Sequence, residues 1–341
     1  MSTVMPSTSV SAAPVGLSEA EPAPSLPYGW VTGALIIAAL AVIPWFAGFA
    51  TQHLLVEVLT VFAIAMAWNL LAGFGGMVVV GQHAFVGVGA YALFYIANTF
   101  GLSPWWTLPL ATVAAVLFAL ATAWPMFRLS GAHFAVGTWV LAELMRIIAL
   151  NSEALGAGGG MPLMGLRELS RVERNAGVYW AALAIGSVAL IAARGLLRSR
   201  LGLALASVRD GEAAALACGV SVARAKLALW TAAAAITGAA GAVAYMNTLQ
   251  VSPDASFGLS WTATAIFIAV LGGIGRIEGP IVGTLIYFAL REFAAGFGAW
   301  YFIAMGLLAI TVMVAAPGGT WSLVLRRWPR LDPFRIRRVM R

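Results

Sequence analysis

Residues 69–91 read N-L-L-A-G-F-G-G-M-V-V-V-G-Q-H-A-F-V-G-V-G-A-Y, an apolar run with no Asp, Glu, Lys or Arg. Glycines punctuate it at Gly73, Gly75, Gly76, Gly81, Gly87 and Gly89, and Gln82 and His83 sit inside it. Such a run offers no face for water, and the rest of the chain behaves alike. Of 341 residues, 61% are hydrophobic and 10% charged, with a mean hydropathy of +0.91. A soluble domain carries about 25% charged residues to wet its surface. Lipid is therefore the solvent. Backbone groups in hydrocarbon must be satisfied within the chain, which leaves helices or closed barrels. Long uncharged runs of Ala, Leu, Val and Ile, without strand-like alternation, select an all-α, polytopic transmembrane helix bundle.

A span takes ~20 residues. Candidates are Trp30–Phe49, Leu54–Leu71, Gln82–Asn98, Trp105–Phe127, His133–Leu150, Val178–Leu197, Lys226–Tyr245, Ser260–Ile274, Pro280–Phe293 and Trp300–Ala316. Several are short, so 8–10 spans are expected, with Gln82–Asn98 and the pair flanking Gly275 tilted, broken or re-entrant. Residues 1–29 have the composition of a disordered tail, 30–317 are expected to form the transmembrane unit with a loop at 199–226, and 318–341 a basic tail, both tails cytoplasmic. Orientation follows the arginines: those around 194–226 and beyond 326 belong inside, and the 151–177 loop outside. The net charge of +7 is spread over these edges, which does not make a nucleic-acid surface.

Enzymatic chemistry is missing from the pattern. The one lysine, Lys226, follows Ala225 rather than glycine, so no phosphate-binding P-loop exists and the chain is not expected to hydrolyse ATP. His53, His83, His133 and Cys218 are scattered, giving no metal site, and no catalytic residue is expected.

Three segments carry information instead. In 69–91 the glycines serve close helix packing or a break beside a cavity. Gln82 and His83 at membrane depth are expected to face the bundle interior. In G-G-I-G-R-I-E-G-P-I-V-G (272–283), Pro280 suits the first turn of a new helix, so a cytoplasmic turn containing Arg276 and Glu278 joins two helices. In 199–226, a short amphipathic helix is expected over 208–216, with Arg209, Asp210 and Glu212 near its start and Gly219 as its stop. It can neither span nor join a core, so it is shaped to dock. Glu143 and Arg146 are spaced to pair on one helix face. A proton-coupled carrier using Glu57, His83, His133 and Glu143 is the rival reading.

Together, N-L-L-A-G-F-G-G, G-Q-H-A-F-V-G-V-G-A-Y, L-S-G-A-H-F-A-V-G-T, R-D-G-E-A-A-A-L-A-C-G-V and G-G-I-G-R-I-E-G-P-I-V-G resemble, in order, the LivM-type permease subunits of branched-chain amino acid ABC importers. The likeness runs from Leu54 to Pro317. It implies a type II ABC importer-like bundle in the bacterial inner membrane, working by alternating access for branched-chain or other hydrophobic amino acids. It implies that Arg209–Val220 is the coupling helix, with Arg209, Asp210, Glu212, Ala213, Ala214 and Gly219 meeting an ATPase. The implied pathway residues are Asn69, Gly81, Gln82, His83, Phe85, Gly89, His133 and Thr138. Gly73, Gly76, Gly272, Gly273, Gly275, Gly279 and Gly283 are implied to serve packing and turns. Implied partners are a second, LivH-type permease, two cytoplasmic ABC ATPases holding ATP and magnesium, and a periplasmic binding protein, with no cofactor in this chain. Departures at Met77–Val80, Leu129–Phe134 and Val136–Trp139 lie near the implied pathway, which leaves urea, short amides and aromatic or other amino acids as alternative substrates.

Overall fold

The computed structural model describes residue 33 and residues 37–166, 170–294, 300–315 and 318–327. The tail at 1–29, Arg167 and the arginines beyond Arg327 fall outside them. Small residues dominate the described core, and helices dominate the fold. α1 (Phe49–Asn69) runs into a π-helical turn, Leu70–Phe74, and is followed after an irregular stretch by α2 (His83–Phe100). Next come α3 (Pro104–Met126), α4 (Gly131–Asn151), α5 (Arg171–Arg198), α6 (Arg200–Asp210) and α7 (Glu212–Ala217). The remainder is α8 (Val222–Thr248), α9 (Pro253–Ser256), α10 (Ser260–Gly272), α11 (Glu278–Ala294), α12 (Trp300–Ala315) and α13 (Gly319–Arg327). A ribbon pairs β1 (Met161–Pro162) antiparallel with β2 (Gln250–Val251).

Among the described residues, six helices are long and apolar enough to cross a membrane: Phe49–Phe74, Pro104–Met126, Gly131–Asn151, Arg171–Arg198, Val222–Thr248 and Pro253–Gly272. α2, α11 and α12 are shorter, with 18, 17 and 16 residues. The expected first span is helical at 37–42 before a 3-10 turn at Ile43–Trp45 that contains Pro44.

α8 is the central post. It packs on α1, α2, α3 and α5, and its Ala- and Gly-rich sequence lets them come close. A Cβ on Gly89 of α2 would lie 2.1 Å from the Gly238 carbonyl oxygen of α8. One on Gly241 would lie 2.5 Å from the Val86 oxygen. Below this contact, Trp230 is fully buried against Phe85, Phe127 and Phe134, and its Nε1 donates to Ala119 O at 3.0 Å. The indole thereby ties α8 to α3 while its N–H stays paired.

α10 and α11 form a tight helical hairpin. A Cβ on Gly272 would sit 1.7 Å from Gly279 O, and one on Gly283 would sit 2.0 Å from Ile268 O. The joint needs positive φ at Gly273 (124°) and Gly275 (76°). Pro280 falls in the first turn of α11, where its missing N–H costs nothing. α13, expected as part of a tail, instead docks beneath this joint: Thr320 Oγ1 donates to Leu271 O at 2.7 Å. The end of α1, the α10–α11 joint and α6 thus gather at one end of the bundle, with the β ribbon, Asn98 and Asp254 at the other.

Gly89→Ala should strain the α2–α8 contact by about 1–3 kcal/mol. A clear fall in the thermal midpoint of the purified protein is expected. Gly195→Ala, whose Cβ would meet nothing within 4 Å, should leave the midpoint unchanged or raise it.

Candidate functional site

The segment 75–82 is irregular backbone inside a helix bundle, which lipid would not tolerate unless each polar group found a partner in the protein. It does find them. Gly75 N and Met77 N donate to Leu70 O and Leu71 O at 3.0 and 2.9 Å. Trp68 Nε1 donates to Val79 O at 2.7 Å. Val80 N and Gly81 N both donate to Thr138 Oγ1, at 3.2 and 3.1 Å, and that hydroxyl donates to Ala135 O at 2.8 Å. Gly81 is obligatory here, because a Cβ would lie 1.7 Å from the Thr138 carbonyl oxygen.

Gln82 and His83 then anchor the start of α2 at mid-bundle. Gln82 Nε2 donates to Ile64 O at 3.1 Å and to Thr237 Oγ1 at 2.7 Å, linking the middles of α1 and α8. Thr262 Oγ1 accepts from His83 N at 3.1 Å and lies 2.9 Å from its Nδ1, adding α10. Both side chains are buried, as the sequence led us to expect. Of the implied pathway set, Gly81, Gln82, His83 and Thr138 come together, but their polar atoms hold a helix break and line no open surface here. Phe85 belongs to the Trp230 aromatic cluster and Gly89 to the α2–α8 contact. His133 is exposed at the start of α4. Asn69 is placed differently again. Its Nδ2 donates to Arg276 O at 2.7 Å and its Oδ1 accepts from Gly275 N at 2.8 Å, so it fastens α1 to the α10–α11 joint. Gly73 makes that contact possible, since a Cβ there would lie 2.4 Å from Gly275 N.

The loop expected to dock differs from its sequence reading in one respect. Arg209 and Asp210 do not start the short helix; they end α6, and Gly211 breaks the chain before α7 begins at Glu212. Arg209 Nη1 donates to Gly73 O at 3.1 Å and its stem covers Gly76, while its side chain stays 45% exposed and its Nη2 lies 3.6 Å from Asp210 Oδ1. α7 ends as expected at Gly219 (φ 80°). Gly219 N donates to Leu216 O and Val220 N to Ala215 O, both at 3.0 Å, which closes a Schellman motif. Ala215 packs with Val208, Val222 and Val220, while Ala213, Ala214 and Leu216 stay exposed. Lys226 Nζ reaches Glu212 Oε2 at 2.6 Å and joins α7 to α8.

Sequence reasoning missed several partners. Arg291 on α11 grips Glu57 with both terminal nitrogens, one at 2.8 Å from Oε2. Glu143 and Arg146 pair as expected, but Arg146 also reaches Asp254 at 2.6 Å. Thr237 and Thr262 were hidden among apolar neighbours; a hydroxyl in such a run was the only available signal. No group of three or more His, Cys, Asp or Glu suited to a metal occurs among the described residues.

A family model described as "Branched-chain amino acid transport system / permease component" matches residues 50–317. The chain is 28% identical over 313 residues to the high-affinity branched-chain amino acid transport system permease protein LivM of Escherichia coli K12, covering 84% of this chain and 73% of that one. It is 29% identical over 283 residues to LivM of Salmonella typhimurium, covering 75% and 66%. A probable LivH of Methanocaldococcus jannaschii is 22% identical over 275 residues, covering 73% and 84%. No solved structure matches.

Thr138→Val would leave Val80 N and Gly81 N without their acceptor, at about 1–3 kcal/mol each. We expect a lowered thermal midpoint that Thr138→Ser restores. Equal midpoints for the Val and Ser variants would show that this hydroxyl does not hold the break.

Proposed function

The chain belongs to the permease-component family of branched-chain amino acid transport systems, and from that premise we propose that it forms half of the membrane pathway of an ATP-driven importer. It takes branched-chain or other hydrophobic amino acids across the bacterial inner membrane by alternating access. Its partners are a related, LivH-type permease, two cytoplasmic ATPase subunits and a periplasmic binding protein. ATP and magnesium stay on the ATPases, and this chain has no ATPase site or cofactor of its own.

One observation carries the reading: α7 is a self-capped helix with exposed Ala213 and Ala214, tied at its start to α8 through Glu212 and, through the preceding Arg209, to the end of α1. A helix of six residues has little stability alone. Here the Schellman closure, the Val208–Ala215–Val222 cluster and the Glu212–Lys226 pair hold it. A displacement of α7 by a closing ATPase therefore moves α8 and α6 as one piece. Through Arg209 it reaches Gly73, where α1 ends in a π-helical turn and the irregular segment begins. π-helical turns often mark working sites, because they hold an extra residue that can be let out. Arg209 thus joins the loop that carries α7 to the end of α1. A proton-coupled carrier is less favoured, since Glu57 and Glu143 are each held by a guanidinium.

Reconstituted with its ATPases and binding protein, the chain should drive uptake only with ATP. Glu212→Arg and Gly219→Asp should insert normally yet abolish ATP-coupled uptake. Arg209→Ala should assemble and hydrolyse ATP, with uptake per ATP reduced roughly 5–150-fold, the scale of a 1–3 kcal/mol coupling. Uptake by the chain alone in liposomes, or wild-type uptake by all three variants, would sink the proposal.

A further inference from the structure

α3 and α4 leave more of their surfaces uncovered than the other candidate spans. In their most apolar 18-residue stretches, 33% and 22% of residues are buried, against 67% in the spans built on α1 and α8. The two helices are uncovered in different ways. On α3 the exposed row is Trp106, Leu110, Val113, Leu117, Leu120 and Trp124, with no charge. Its tryptophans stand 18 residues apart, which is about 27 Å along a helix and close to the ~30 Å hydrocarbon core. Tryptophans at both boundaries with aliphatic residues between them are the signature of a lipid-facing helix. α3 faces lipid.

α4 is different. Only a narrow seam is buried, through Phe134, Thr138, Ala142 and Ala149. The opposite side presents Val136, Val140, Leu144 and Ile147, and beside them lies the ion pair of Glu143 and Arg146. The Glu143 side chain remains 43% exposed and that of Asp254, the second partner of Arg146, 72% exposed. Glu143 lies eight residues before the end of α4 at Asn151, about 12 Å inside the helix end at 1.5 Å per residue. Arg146 ties Glu143 to Asp254 at the end of the bundle that carries the β ribbon, and charges in or at the edge of a membrane face water or protein, not acyl chains. One exposed tryptophan, Trp139, lies within this stretch beside Val140, and no tryptophan pair brackets it.

We propose that the exposed side of α4, from Val136 to Ile147, seats the second, related permease subunit, with Glu143, Arg146 and Asp254 at the outer rim of the watered route between the two. This rests on the reading of the chain as one membrane half of an importer. Apolar residues form the contact, and the ion pair next to it stays hydrated by the route. Lipid is the rival occupant.

The test uses the complete importer in native membranes, in a Cys218→Ser background. Val140→Cys, Leu144→Cys and Ile147→Cys on α4, and Val113→Cys and Leu117→Cys on α3, each carry a benzophenone maleimide. Illumination should join the α4 positions to the related permease, identified by mass spectrometry, while the α3 positions give lipid adducts. Lipid adducts from α4 as well, or cross-links to a second copy of this chain, would overturn the surface assignment. The composition of the unlabelled complex reports separately on the parent reading, which fails if neither an ATPase nor a second permease co-purifies.

Discussion

A backbone N–H or C=O left unpaired in hydrocarbon costs several kcal/mol, and most of what is unusual in this protein answers that constraint. The chain abandons its helix between Phe74 and His83 while inside the bundle. It can do so because other helices lend side chains to the break. Trp68 serves Val79 O, Thr138 serves Val80 N and Gly81 N, and Thr262 serves His83 N. Gln82 fixes the new helix between α1 and α8. The break is held from four directions, so it is ordered without being helical.

Such lending works only at short range, and glycines set the range. Gly81 lets the break touch the α4 backbone at Thr138, Gly73 lets α1 touch the α10–α11 joint, and Gly89 lets α2 meet α8. Asn69 bonds the α10–α11 joint and Arg209 bonds Gly73 beside it, so the loop carrying α7 shares a hydrogen bond with the end of α1. Membrane helices gain little from burying apolar surface against one another, since lipid is equally apolar. Close backbone contact and a few polar bonds therefore decide which helices are neighbours.

Much of this was legible in the sequence. The lack of charge fixed the solvent, and glycine with Pro280 announced the α10–α11 joint. Ala213–Ala217 before Gly219 announced α7 and its stop. Gln82 and His83 stood out because they are polar residues in an apolar run. What could not be read was pairing across distance. Nothing near Asn69 points to Gly275, nothing near Glu57 points to Arg291, and nothing near Arg209 points to Gly73. Those outcomes depend on which helices come within ~3 Å hydrogen-bond reach, a property of the assembled bundle. The missed threonines, Thr237 and Thr262, look like ordinary small residues until the break is seen beside them.

The central claim is that motion of the docking loop reaches the helix break through Arg209. It is tested most directly by a distance between spin labels at Val78→Cys, in the break, and Val113→Cys, on the lipid face of α3, in the assembled importer with Cys218→Ser. ATP binding should shift that distance, and Arg209→Ala should abolish the shift while ATP still binds. The same shift with and without Arg209, or none in either, would contradict the account.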